Sequence, residues 1–403
     1  MRTPGKTFRI ALIVLNDFGC LELSRCDDVR GNVYIASIFV GVLIFLFALQ
    51  QPYSLLMGSF LSALYFFWSG ISKTVNLIAL LFILLVVIIA SVPSVLFRHG
   101  LSPLFYVFST LSVAGAAFGF SKLPLAKSLQ SLLMVFWFFW VLTLCLWWWH
   151  RASVEPLGEI VPGSSTNGIP SYFIVLQVAV SVTFLLCRAR LPILTPIATL
   201  FVALLGLGRG SIVVAFVMLV VSLIFNCLLF YGRSILVRMG LCFFLFLVVI
   251  FFLMVGFYVL GDLFSAFFER SKFSSGLMDP YRALILSEYL DGLDVLGVLF
   301  GGGYDGTVID LKYDGNPHIA FIRTHAFYGL FVLLFVVLSP VFLFAARKPL
   351  RYRVVGFSFL CLLLVRALTE PILFPTLLDF FYLYVFLIFF KSHVSSEGRV
   401  IHV

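Results

Sequence analysis

Long apolar stretches, separated by short polar turns, follow one another along nearly the whole chain. Each stretch is close to the 20 or so residues that a helix needs to cross the hydrocarbon core of a bilayer. We therefore predict an all-α, polytopic integral membrane bundle of about twelve transmembrane helices. The predicted spans are 33–50, 54–70, 74–93, 101–120, 130–149, 172–187, 191–207, 211–231, 240–261, 325–346, 354–371 and 374–390.

Composition supports one membrane domain rather than several soluble ones. Of the 403 residues, 62% are hydrophobic and only 11% are charged, which excludes an ordinary soluble fold. We predict a cytoplasmic segment at 1–32, a transmembrane domain at 33–390 and a cytoplasmic tail at 391–403. Lys and Arg gather in the turns that this orientation places in the cytoplasm. The net charge of +9 therefore needs no nucleic-acid partner.

Two outer loops, at about 150–172 and 262–324, are longer than the other connections. Loops of such length are usually functional or contain structure of their own. Asp279-Pro280 is typical of a helix start, and apolar residues with helical spacing follow it. Gly292 is a plausible helix end. The run 301–303 is all glycine and predicts a flexible turn. We therefore expect short helices in the second loop.

A few charged residues fall where a bilayer tolerates charge poorly. Arg209 stands between two glycines at a predicted helix start, and Arg282 falls in the first turn of the loop helix. Each is interpreted either as a solvated or snorkelling arginine or as an anion ligand. Arg366 and Glu370, four residues apart in an apolar helix, could form a pair inside the membrane, with Asp379 as another partner.

The second loop contains a candidate general base but no metal-binding pattern. His318 is interpreted either as a solvated loop residue or as a base, because a neutral imidazole accepts protons near pH 7. The loop aspartates are dispersed, no His/Cys cluster is present, and no nucleotide-binding glycine motif occurs. We therefore predict no metal and no cofactor.

Three pieces of the chain resemble the O-antigen polymerase and O-antigen ligase superfamily, and they lie mostly within residues 200–345. These are an Arg-Gly element at 208–210, a loop arginine with an amphipathic helix and glycine-rich turn at 279–303, and Asn316-Pro317-His318 with Gly329 eleven residues later. Ile319 and Val332 depart from the ligase pattern. The departures weaken the ligase interpretation more than that of a polymerase.

This resemblance implies a metal-independent, inverting membrane glycosyltransferase with a periplasmic active site in the bacterial inner membrane. Its donor and acceptor would be undecaprenyl-diphosphate-linked oligosaccharides, and a chain-length regulator protein could be a further partner. His318 would be the base. The diphosphate would be bound by Arg209 and Arg282, with Arg323 and Arg270 as secondary candidates.

Two other functions stay open at the level of sequence. An O-antigen ligase would use the same donor but transfer the glycan to lipid A-core. A lipid-linked glycan flippase is favoured by the charges of Arg366 and Glu370 inside a span. Transporters usually carry internal repeat symmetry, which this chain does not show. We therefore place the polymerase first.

Overall fold

All regular secondary structure in the described part of the chain is helical. The computed structural model describes residues 27–49, 51–70, 102–153, 155–161, 167–230, 280–313 and 315–391. Within these ranges there are fourteen α-helices and no strand, so the predicted all-α class is confirmed there. The helices are α1 (Asp27–Ala48), α2 (Pro52–Gly70), α3 (Ser102–Lys122), α4 (Leu125–Trp149), α5 (Pro156–Glu159), α6 (Gly168–Arg188), α7 (Leu194–Leu205), α8 (Arg209–Phe230), α9 (Pro280–Asp291), α10 (Val295–Phe300), α11 (Val308–Tyr313), α12 (Ala320–Phe342), α13 (Leu350–Ala367) and α14 (Asp379–Phe390).

Ten of the twelve predicted spans coincide with helices in this structure. Among the described residues, five helices are long and apolar enough to cross a membrane: α3, α4, α6, α8 and α12 with the 3-10 turn that follows it. Shorter apolar helices include most of α1 and all of α7 and α14. The predicted spans 74–93 and 240–261 lie outside the described residues. The chain is thus a helical membrane protein.

Helix α6 is the centre of the bundle. Its residues from Gly168 to Leu186 are all buried, and most of them are apolar. A helix that is hydrophobic on all sides is stable only when other helices or lipid surround it. Phe173 packs edge-on against Phe136 of α4, and Thr183 shares a 3.0 Å hydrogen bond with Tyr384 of α14. These neighbours hold both ends of α6 in place.

Three helix boundaries differ from the sequence prediction near one end of the bundle. Helix α12 begins at Ala320 rather than at 325, α13 ends at Ala367 rather than at 371, and α14 begins at Asp379 rather than at 374. The buried Asp379 carboxylate accepts hydrogen bonds from the backbone N–H of Phe374 at 2.7 Å and of Thr376 at 2.9 Å. These bonds fix a loop at 374–378, where the predicted span 374–390 was expected to be helical.

The opposite end of the bundle, here called the lysine end, is held by Lys391. Its ammonium donates to the carbonyls of Ser121 and Leu123, both at 2.8 Å, while Lys348 donates to the Lys391 carbonyl. A cation is favourable at the C-terminus of α3, where backbone carbonyls lack helical partners. Burial lowers the pKa of the Lys391 amine, and the charges of Lys122 and Lys348 lower it further. The lysine end therefore joins α3, α13 and α14.

Helices α9 to α11 form a separate small layer that packs on the start of α12. Its core contains Ile285 and Tyr289 of α9 together with Ile309 and Ile319. The prediction that Gly292 ends α9 is confirmed, because the helix stops at Asp291. The predicted apolar stripe on α9 is divided, since Leu290 of that stripe is 55% exposed. Short helices thus occur in the described part of the second loop, as predicted.

Candidate functional site

Three charged residues from distant parts of the chain meet at the end of the bundle opposite the lysine end. The Arg366 Nη2 atom lies 3.3 Å from Glu370 Oε1, which confirms the predicted pair. Arg282 of α9 also contacts this carboxylate, with its Nη2 atom 3.7 Å from the same oxygen. One carboxylate therefore holds two guanidinium groups. We call Arg282, Arg366 and Glu370 the arginine cluster.

Arg366 is buried to a degree that requires full pairing. Its side chain is only 2% exposed. Its Nε and Nη2 atoms donate to Ser171 Oγ of α6 at 3.0 and 2.7 Å, and Nη1 donates to the Thr369 hydroxyl. A buried charge is tolerated when it is paired and hydrogen-bonded in this way. Arg366 thus acts as a structural junction between α6 and α13 and orients Glu370.

The first turn of α8 lies directly beside the arginine cluster. A Cβ atom on Gly210 would be 3.1 Å from Arg366 Nη1, and a Cβ on Gly208 would be 1.5 Å from Asn167 Oδ1. Only glycine fits at 208 without moving Asn167. Arg209, between them, is the first residue of α8 and is half-buried. The predicted helix start at these glycines is confirmed.

Two helix N-termini converge on this region, because α6 begins beside Asn167 and α8 begins beside Gly208. The N-terminus of a helix carries a partial positive charge and unpaired N–H groups, both of which favour anions. The oxygens Asn167 Oδ1 and Ser211 Oγ are buried and have no hydrogen-bond partner within the described residues. The region therefore has a positive electrostatic potential. It also contains buried side-chain oxygens, Asn167 Oδ1 and Ser211 Oγ, which a purely apolar core would not contain.

The arginines differ in what they can reach. The Arg282 side chain is 26% exposed and Arg209 is half-buried, so both are accessible to a ligand from outside the bundle. Arg366 is enclosed and cannot contact an external ligand without displacing its present partners. Among the described residues, these three guanidinium groups and the Glu370 carboxylate sum to a charge of about +2 at neutral pH. An anion with two negative charges complements this surface.

The other predicted site residues lie at the start of α12, just before it, or outside the described residues. His318 precedes α12, with its ring edge-on against Tyr313 and its backbone N–H bonded to Asn316 Oδ1 at 3.1 Å. Arg323 lies in the first turn of α12 and is half-buried. Arg270 lies outside the described residues. The structure thus joins Arg282 to the predicted Arg366–Glu370 pair, and it places His318 next to Ile319, in the small core of the layer that contains Arg282.

Sequence reasoning missed the polar residues that support this region. Ser171 receives two hydrogen bonds from Arg366, and the Thr369 hydroxyl receives a third. A single serine in an apolar span carries no distinguishing signal.

Within the described residues, no group of three or more His, Cys, Asp or Glu side chains is arranged to hold a metal ion. Comparisons with family models, curated proteins and solved structures find no match to this chain.

Proposed function

We propose that this protein is an O-antigen polymerase, an inner-membrane glycosyltransferase that joins undecaprenyl-diphosphate-linked oligosaccharide repeats at the periplasmic face. The observation that carries the proposal is the meeting of Arg282 with the Arg366–Glu370 pair beside the N-terminus of α8, which begins with Arg209. Guanidinium groups bind phosphate oxygens in a bidentate manner, and helix N-termini add to their attraction. A lipid-linked diphosphate carries the negative charge that these groups bind, and its lipid keeps it at the membrane.

The proposed reaction is a single displacement. A sugar hydroxyl of the acceptor attacks the anomeric carbon of the donor while the bond from that carbon to the diphosphate oxygen breaks. The polyprenyl diphosphate leaves with the bonding electrons, and Arg209 and Arg282 neutralise its developing charge. The hydroxyl proton passes to His318. One displacement of this kind inverts the anomeric centre.

Glu370 fits this scheme as a counter-ion rather than as the base. Its carboxylate is already paired with the guanidinium groups of Arg282 and Arg366. His318 is better suited, since neutral imidazole accepts a proton near pH 7. Ile319, next to it, packs in the same small core as Ile285 and Tyr289 of the helix that carries Arg282. The proposed base, His318, and the proposed diphosphate-binding residue, Arg282, thus belong to the same layer of the structure.

The test is a purified, reconstituted reaction with a defined lipid-linked oligosaccharide. We expect Arg282→Ala to lower the rate by about 10²–10³, the usual effect of losing one preorganised charge donor. Arg282→Lys should recover little, because a lysine ammonium lacks the planar fork. His318→Ala should abolish transfer. Arg351→Ala is a matched control, because Arg351 is exposed and lies at the start of α13, away from the cluster.

The outcome separates the alternatives. A polymerase makes new glycosidic bonds between repeats, whereas a ligase requires lipid A-core as the acceptor. In cells lacking the protein, a lipopolysaccharide gel should show single repeats on the core for a polymerase and none for a ligase. Lipid movement across the bilayer without bond formation would indicate a flippase. Full activity of Arg282→Ala would refute the assigned role of this arginine.

A further inference from the structure

His325 connects three helices through both of its ring nitrogens. The residue is 6% exposed and lies in the second turn of α12. Its Nδ1 atom is 2.7 Å from the Tyr289 hydroxyl of α9, and its Nε2 atom is 2.7 Å from the Val298 carbonyl of α10. The backbone N–H of Gly302 donates to the same hydroxyl at 3.4 Å. All polar atoms of the buried ring are therefore engaged.

The hydrogen-bond partners of His325 determine which of its ring nitrogens carries a hydrogen. A backbone carbonyl only accepts, so Nε2 must carry the hydrogen that points to Val298. In neutral imidazole, Nδ1 is then an acceptor, and the Tyr289 hydroxyl donates to it. The tyrosine oxygen keeps a lone pair for the Gly302 N–H. In this form each of the three groups has a hydrogen bond, which suits an interior position.

Backbone contacts reinforce this connection. Gly301 has φ +94°, and a Cβ there would be 2.4 Å from the His325 carbonyl oxygen. Gly329, with φ +76°, faces α10, where its Cβ would be 2.5 Å from the Leu299 oxygen. Glycine at both positions permits the backbones of α10 and α12 to touch. The glycine run predicted to be a flexible turn thus begins with a residue required for close packing.

This connection has a direct consequence for Arg282. Tyr289 and Arg282 lie seven residues apart on α9, which is about 10 Å along a rigid helix. A rotation of α9 about its axis would move Arg282 away from Glu370. The Tyr289–His325 bond resists such a rotation because it ties α9 to the membrane helix α12.

We propose that His325 is a positioning residue, which fixes the rotation of α9 and thereby holds Arg282 against Glu370. Its effect on catalysis rests on the proposed function, whereas its effect on α9 does not. Small displacements of binding groups can lower rates by about 10²-fold. We therefore expect His325→Ala to lower kcat/KM for the lipid-linked donor by about that factor. The loss should appear mainly in kcat, because Arg282 neutralises the charge that develops on the leaving diphosphate.

The experiment combines kinetics with hydrogen–deuterium exchange on the full-length protein in detergent or nanodiscs. In His325→Ala, backbone amides of α9 should exchange faster, while those of the central helix α6 stay unchanged. Tyr289→Phe removes only one hydroxyl and should show the same pattern more weakly, which covers the case in which His325→Ala does not fold. His150→Gln is the control, because His150 caps the end of α4, outside this layer.

A double variant separates positioning from a general loss of structure. In an Arg282→Ala background, His325→Ala should cause no further loss of activity, because the group that it positions is already absent. Additive losses would overturn the proposal, and so would unchanged exchange in α9 for both His325→Ala and Tyr289→Phe. If the wild-type protein forms no glycosidic bond, the proposed function fails, and the exchange measurement still decides whether His325 holds α9.

Discussion

Replacing Glu370 by alanine would remove the carboxylate that pairs with the enclosed Arg366 guanidinium. Arg366 is 2% exposed, so the charge cannot turn towards water without opening the contact between α6 and α13. Breaking a buried pair from one side costs about 3–5 kcal/mol, because the remaining charge is uncompensated. The second pair, to the 26% exposed Arg282, adds at most about 1 kcal/mol. Arg366 therefore dominates the expected loss of stability.

The measurement is thermal unfolding in detergent, which does not depend on any assumption about activity. We expect Glu370→Ala to unfold at a clearly lower temperature than the wild type. Arg366→Met should be milder, since Glu370 keeps Arg282 as a partner. The double variant Arg366→Met/Glu370→Leu should recover much of the stability, because replacing a whole buried pair by apolar residues is often neutral or favourable. If Glu370→Ala is as stable as the wild type, or the double variant is as unstable as Glu370→Ala, the reasoning is wrong.

Three further substitutions test other parts of the structure by the same unfolding assay. Gly329→Ala should be more destabilising than Gly315→Ala, because both glycines have φ +76° but only at 329 would the new Cβ meet another backbone, at Leu299; equal effects would point to backbone strain alone. Lys391→Met should lower stability by about 1–3 kcal/mol, since it leaves partly buried carbonyls without a charged donor. Ser211→Ala should leave stability unchanged or raise it slightly, because the buried hydroxyl has no partner in the described structure; a loss above about 1 kcal/mol would contradict that interpretation.

The length of the apolar runs predicted most of the described helices correctly, because it is a property of each segment alone. A run of about 20 apolar residues forms a helix in a bilayer whatever its neighbours are, since its backbone groups must be hydrogen-bonded within the segment. The start of α9 at Pro280 and its end before Gly292 were also predictable, because helix caps are local. Boundaries failed where a buried side chain accepts hydrogen bonds from nearby backbone N–H groups, as Asp379 does from Phe374 and Thr376.

The site was only partly visible in the sequence. The Arg366–Glu370 pair followed from its spacing of four residues on one helix. The partnership of Arg282 with Glu370 did not, because these residues lie on different helices and no pattern in either segment points to the other. The two histidines also differ in how far the sequence indicated their roles. His318 stood within a motif-like stretch, whereas His325 had no local signal and yet joins α9, α10 and α12.

By itself, the sequence determined that this chain is a helical membrane protein and where most of its described helices lie, because these outcomes depend on short-range spacing and on transfer from water to lipid. Only the tertiary structure decided which charges share a partner, which arginine is accessible and which histidine holds the loop helix. Those outcomes depend on how helices distant in sequence pack together, and burial then selects the pairs that satisfy every polar group.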